Sequence, residues 1–69
     1  MSKIKIILNG DEKTIHDNIS IAQLIVDLEL DVTKIAVEKD LEIIHPDQFE
    51  RIMLNEGSRV EIVHFIGGG

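Results

Sequence analysis

The sequence predicts an α+β fold, in which a mixed sheet of four to five strands is covered by one main helix and accompanied by a short helical turn. Three observations predict it: several short segments alternate apolar and polar residues, one segment has apolar residues at helical spacing, and turn residues separate the segments. The chain has 69 residues, of which 43% are apolar, with two Phe and no Trp, Tyr or Cys. We therefore expect one small domain over residues 1–66 with an aliphatic core, followed by a flexible glycine tail at 67–69.

The first two segments predict a β-hairpin. Apolar and polar residues alternate from Lys3 to Leu8, as expected for a half-buried strand. Asn9 and Gly10 follow, and both residue types adopt the positive φ that a type I′ turn requires. The return strand is expected to be shorter and more polar, from about Asp11 to His16.

A helix is predicted to begin after Ser20. Ser20 is a suitable N-cap, and Gln23 stands three residues later, where a capping box places its reciprocal partner. Apolar residues then recur on one helical face, at Ile21, Leu24, Ile25 and Leu28. The pattern breaks around Asp31, so we expect the helix to cover one face of the sheet and to end before that residue.

Two short strands are predicted next, from Lys34 to Glu38 and from Glu42 to Ile44. The turn between them falls on Asp40 and Leu41. Leu tolerates positive φ poorly, so the pattern leaves the geometry of this turn open.

The last third of the chain predicts a helical turn and a final strand. Pro46 is well placed to open the turn, which is expected to contain Phe49, Ile52 and Met53. The final strand is predicted over residues 59–66. It is apolar on both faces towards its end, which indicates a central position in the sheet.

Charge and size exclude several classes of function. Seven basic and thirteen acidic side chains give a formal net charge of −6, which argues against a nucleic-acid binder and favours basic protein partners. A membrane span needs about 20 consecutive apolar residues, and no segment has them. The absence of cysteine excludes disulfides, thiolate metal sites and cysteine nucleophiles. We therefore expect a cytoplasmic protein that is not itself an enzyme, since so small a chain cannot enclose a deep substrate pocket.

The sequence ends in three glycines, Gly67, Gly68 and Gly69, which add nothing to packing. Their physical use is a thin thread that extends about 10 Å beyond the last strand and can enter a narrow channel in another protein. Such a thread presents the α-carboxylate of Gly69, which becomes reactive once it is converted to an acyl-adenylate. A frayed tail or a cloning remnant is the alternative interpretation.

The order of the elements looks like the β-grasp fold of ubiquitin-like proteins. Within that fold, residues 59–69 resemble the ending of the sulfur carrier family of thiamine biosynthesis (ThiS). The segments 6–10, 21–28 and 35–38 also resemble that family. The likeness extends over essentially the whole chain, and residues 59–69 are its specific part.

This resemblance implies a mechanism. In the family an E1-like enzyme (ThiF) uses ATP to adenylate the terminal glycine carboxylate, and sulfur from the persulfide of a cysteine desulfurase then gives a thiocarboxylate. The carrier donates that sulfur to thiazole synthase (ThiG), so Gly69 carries over as the modified residue and Gly67 and Gly68 as the threading segment. The chain itself would bind no cofactor. One departure is that family members commonly have Asn-Gly where this chain has Asp40 and Leu41.

The sequence also offers candidate contact residues outside the glycine tail and alternative functions. His64, Phe65 and Ile66 lie next to the glycine thread and are candidates for partner contact, although sheet packing is an equally good interpretation of Phe65. The three histidines lack metal-ligand spacing, so no metal site is expected. A carrier of the molybdopterin-synthase type, a ubiquitin-like protein modifier and a simple binding module remain the alternative functions.

Overall fold

The computed structural model describes residues 2–65. Within that range the elements are β1 (Lys3–Leu8), β2 (Asp11–His16), α1 (Ile21–Asp27), a 3-10 turn at Val32–Lys34, β3 (Ile35–Lys39), β4 (Glu42–Ile44), a second 3-10 turn at Pro46–Gln48 and β5 (Arg59–His64). The five strands form one sheet in the order β2-β1-β5-β3-β4. β1 and β5 are parallel, and the other neighbours are antiparallel. The predicted α+β class, the single main helix and the central position of the last strand are all confirmed.

The β1–β2 hairpin forms as predicted, except that the return strand is not shorter: β1 and β2 have six residues each, because all six pair across the hairpin. Leu8 pairs with Asp11, so Asn9 and Gly10 are the only residues in the turn. Their φ values are 49° and 88°, the positive angles that a type I′ turn requires at both central positions.

α1 begins at the predicted cap, but only half of the predicted capping box forms. The Ser20 Oγ accepts a hydrogen bond from the Gln23 backbone N–H at 3.1 Å. The Gln23 side chain does not complete the box; its Nε2 donates to Asp27 Oδ1 at 2.8 Å, one helical turn further on. The capping-box prediction was wrong in this respect, because an i,i+4 partner on the helix surface is available to the same amide.

The structure shows the geometry of the β3–β4 turn, which the sequence pattern left open. Asp40 and Leu41 have φ values of 51° and 71°, and Lys39 pairs directly with Glu42. Asp40 ties this turn to β5: its N–H donates to the Arg59 carbonyl at 2.7 Å, and its Oδ1 accepts the Arg59 N–H at 2.9 Å. The Arg59 N–H, together with Lys39, holds the pKa of Asp40 below its usual range.

Three predicted segments differ from the structure in their boundaries. β3 begins at Ile35 and ends at Lys39, one residue later at each end than predicted. Its start is displaced because Val32–Lys34 forms a 3-10 turn that the sequence pattern did not predict. β5 ends at His64, so Phe65 lies beyond the strand and not within it as predicted; Ile66, where the predicted strand ends, lies outside the described residues. The second 3-10 turn covers only Pro46–Gln48, so the three residues predicted within it lie beyond it: Phe49, Ile52 and Met53. Met53 forms an isolated antiparallel bridge with Ser20.

The core lies between α1 and one face of the sheet. It consists of aliphatic side chains and one phenylalanine: Ile6, Ile15, Ile21, Leu24, Ile25, Ile35, Val37, Phe49, Leu54, Val60 and Ile62. Val60 and Ile62 are the contribution of β5, so the central strand is held by packing as well as by hydrogen bonds. The opposite face of the sheet carries exposed side chains such as Val63.

Candidate functional site

The candidate site is the carboxyl end of β5, where the chain leaves the sheet. β1 pairs with only the first two residues of β5, Arg59 and Val60. β5 continues to His64, which is four residues or roughly 13 Å further. The end of the central strand therefore extends past the β1 ladder.

Asn9 secures this extension from the β1 side. Its N–H donates to the Val60 carbonyl at 2.9 Å, and its side-chain Oδ1 accepts the Ile62 N–H at 2.8 Å. One turn residue thus lengthens the parallel ladder and satisfies a donor of the central strand. The sequence pattern identified Asn9 only as a turn residue, since nothing in the local sequence points to a partner 53 positions away.

β3 secures the strand from the other side, nearly to the last described residue. Ile35 pairs with His64, and the Phe65 N–H donates to the Lys34 carbonyl at 2.8 Å. The carbonyl of Lys34 is positioned by the 3-10 turn before β3, whose cap is Asp31. The last hydrogen bond described for the departing chain is therefore made to a capped turn.

Asp31 holds that turn through its carboxylate. Its Oδ1 accepts the Thr33 N–H at 2.9 Å and the Thr33 hydroxyl at 2.7 Å. These two hydrogen bonds lower the pKa of Asp31, and nearby Lys34 acts in the same direction. The turn is therefore formed with an ionised carboxylate at neutral pH.

The predicted site residues divide into two groups. His64 and Phe65 lie together at the strand end, and both are exposed, with 61% of the Phe65 surface accessible. Phe65 is therefore not part of the buried core, which leaves it available for contact. Ile66, Gly67, Gly68 and Gly69 lie outside the described residues, and so does the expected boundary between domain and tail.

The side chains that could bind a metal ion do not form a cluster in the described structure. The three histidines, His16, His45 and His64, are all exposed. Among residues 2–65, no three His, Asp or Glu side chains are close enough to hold a metal ion. Over the same residues, no helix is long and apolar enough to cross a membrane.

The fold defines the class of protein: a five-stranded mixed sheet with one helix across a single face is a β-grasp domain of the ubiquitin-like type. The chain belongs to the ThiS family, whose sequence profile matches residues 6–69. In agreement, the fold resembles the crystal structure of a thiamine biosynthesis protein (ThiS) from Geobacter metallireducens, with a TM-score of 0.84 over 96% of this chain and 100% of that one. Their sequences are 23% identical, so this likeness concerns the fold.

The named relatives fall into two groups that differ in the length of the whole protein. The sulfur carrier protein ThiS of Bacillus subtilis is 36% identical over 63 residues, which are 90% of this chain and 96% of the relative. A thiazole synthase of Paramagnetospirillum magneticum is 36% identical over 66 residues, and one of Magnetococcus marinus is 32% identical over 66. The chain spans only about a fifth of the length of these two, since the match is 20% of each.

Proposed function

We propose that this chain is a sulfur carrier in thiamine biosynthesis and that the carboxylate of Gly69 carries the sulfur. The observation that carries the proposal is the family match, which runs through all three glycines to residue 69. The name and matching length of the Bacillus subtilis relative support it. The absence of cysteine fits as well, because the sulfur then needs another group of the chain to hold it.

The chemistry requires activation of that carboxylate by a partner. An activating enzyme of the ThiF type uses ATP to form the acyl-adenylate of Gly69 and releases pyrophosphate. A persulfide that originates from a cysteine desulfurase then attacks the adenylated carbonyl, the C–O bond to AMP breaks, and an acyl disulfide forms. A thiol reduces the S–S bond of that acyl disulfide, so one sulfur stays on Gly69 as the thiocarboxylate and the other ends in a new disulfide. Without a Cβ, Gly69 leaves its carbonyl open to attack.

The described part of the chain would bind partner enzymes and position the glycine thread, and would not itself catalyse a reaction. β5 is the central strand and is fixed by β1, by Asn9 and by β3. A fixed strand end gives the glycine thread a defined starting point, which limits the positions that Gly69 can reach. Thiazole synthase of the ThiG type would be the acceptor of the sulfur, and the cytoplasm is the compartment we propose.

The first test is intact-mass measurement after incubation with ATP, the activating enzyme and a sulfur donor. We expect the exchange of one oxygen for one sulfur, located on the peptide that ends in Gly69. A variant with one alanine added after Gly69 is the control and should remain unmodified. An unchanged mass of the unextended protein would refute the proposal, and Gly69 linked to lysines of other proteins would favour a protein modifier.

The threading role of Gly68 gives a graded prediction. Gly68→Ala and Gly68→Trp should slow adenylation progressively, and the larger side chain should slow it by at least about 100-fold, because the carboxylate is then displaced from the reacting geometry. Thermal unfolding should change little, since the core lies within residues 2–65. Equal adenylation rates for both variants and the parent protein would contradict threading through a narrow channel.

A further inference from the structure

An apolar groove lies beside Phe65, next to the point where the chain leaves the sheet. It has a volume of about 390 Å³. Its lining includes apolar side chains from the first 3-10 turn, from β3 and β4, and from the residues that directly follow the second 3-10 turn and β5: Val32, Ile35, Ile43, Ile44, Phe49 and Phe65. Ile35 and Phe49 are buried and form its base. Val32, Ile43 and Phe65 are 45%, 71% and 61% exposed, so large apolar side chains stand at its edges.

The groove is also free of acidic side chains and of lysine and arginine. None of the described residues that line it is Asp, Glu, Lys or Arg, although 29% of the chain consists of these residues, and its polar lining side chains are Thr33 and His45. Asp31 and Lys34 flank lining residues in the sequence and form an exposed ion pair at 3.9 Å. A mainly apolar centre with a polar margin is the composition of the core of a protein–protein interface.

The short reach of the tail brings a partner that holds Gly69 close to this surface. The four residues after Phe65 span at most about 14 Å when fully extended. A protein–protein interface of standard size buries about 800 Å² on each partner, which corresponds to a patch roughly 30 Å across. An enzyme that holds Gly69 in its active site therefore also lies against the surroundings of Phe65, to which the groove belongs. This step rests on the proposed function.

We infer that the groove is the docking surface for thiazole synthase, and that an apolar side chain of the synthase inserts between Ile43 and Phe65. The relatives favour this occupant over the activating enzyme. Two proteins named thiazole synthase include a segment similar to 96% of this chain. In such a protein the carrier-like segment is covalently joined to the remainder, so a contact between the two forms at high effective concentration.

The experiment measures the affinity of the purified chain for the thiazole synthase of the same organism by isothermal titration calorimetry. Ile43→Asp and Val32→Asp each place a carboxylate in the groove and should weaken binding at least about tenfold, as expected for an interface centre. Leu41→Asp is the matched control, because Leu41 is an exposed aliphatic residue of the same hairpin that does not line the groove. It introduces the same charge and should change the affinity by less than about twofold.

Folding is checked by thermal unfolding, and Ile43→Thr provides a second variant that keeps strand propensity and introduces no charge. Unchanged affinity of Ile43→Asp and Val32→Asp, or no binding of the parent chain to thiazole synthase, would overturn the inference. It would equally be overturned if these variants bound the synthase normally and lost only their activation. Because docking is measured with the unmodified chain, it is independent of thiocarboxylate formation, whose failure would count against the proposed function alone.

Discussion

Leu41 is the least expected single residue of the described structure. Its φ of 71° is a left-handed conformation that β-carbon sterics disfavour, and 88% of its side chain is exposed, so packing does not compensate for the strain. The sequence predicted a turn here but left its geometry open, because leucine tolerates positive φ poorly. The structure explains the turn through its neighbour, since the Asp40 carboxylate and N–H both bind Arg59 of β5. That pairing joins positions 19 apart and is not visible in the local sequence.

Replacing Leu41 should therefore stabilise the protein. Leu41→Gly removes the Cβ from a left-handed position and should raise the free energy of unfolding by about 1 kcal/mol. Leu41→Ala is the control, because it removes the exposed apolar surface but keeps the Cβ. Urea denaturation measures both, and equal stabilities of the two variants would show that backbone strain at this position is not the cause.

The elements were predicted more completely than their boundaries. The β1–β2 hairpin, the Ser20 cap and the central β5 follow from local patterns of turn residues, capping residues and alternation. The Val32–Lys34 turn was missed because its signal is the Asp31 side chain, which accepts two hydrogen bonds from Thr33. The same Asp residue also fits an irregular loop, so the pattern alone does not distinguish the two.

Asn9 connects two elements and gives a prediction at this scale. Asn9→Gly keeps the positive φ but removes the acceptor of the Ile62 N–H, so it should lower the free energy of unfolding by about 1 kcal/mol. Asn9→Asp keeps an acceptor oxygen at the same position and should cost less. Chemical denaturation gives both values, and hydrogen exchange at the Ile62 amide should be faster in the glycine variant only. Slow exchange at that amide in Asn9→Gly would contradict the assigned role.

At the scale of the whole molecule, the core depends on aliphatic residues and on one aromatic side chain. Phe49 is 3% exposed, whereas Phe65, the second phenylalanine, is 61% exposed. The composition predicted an aliphatic core but could not assign the two phenylalanines. The two residues differ in their tertiary surroundings: Phe49 lies next to α1, where its carbonyl accepts a hydrogen bond from the Ala22 N–H at 2.9 Å.

The groove could not be predicted from the sequence either, because its edges are formed by residues that are distant in the sequence: Val32, Ile43 and Phe65.

This asymmetry predicts effects of very different size on the free energy of unfolding for the same substitution at the two positions. Phe49→Ala should destabilise the protein by about 3–5 kcal/mol. That is a large part of the total for a chain of this size, which is about 3–10 kcal/mol. Phe65→Ala should change the unfolding free energy by less than about 1 kcal/mol, as is usual for an exposed position. Circular dichroism during thermal unfolding compares them, and a similar loss in both variants would contradict the assignment of Phe49 to the core.

The parallel pairing of β1 with β5 also determines how the molecule can be handled. β1 begins at Lys3, four residues before Ile7, which pairs with Arg59, and β5 extends five residues beyond Arg59 to His64. The amino end of the sheet is therefore separated from the end of β5 by roughly 30 Å. A dye or an affinity tag attached ahead of β1 would project away from the groove. Protein immobilised in this way would present the carboxyl end of β5 to enzymes in solution.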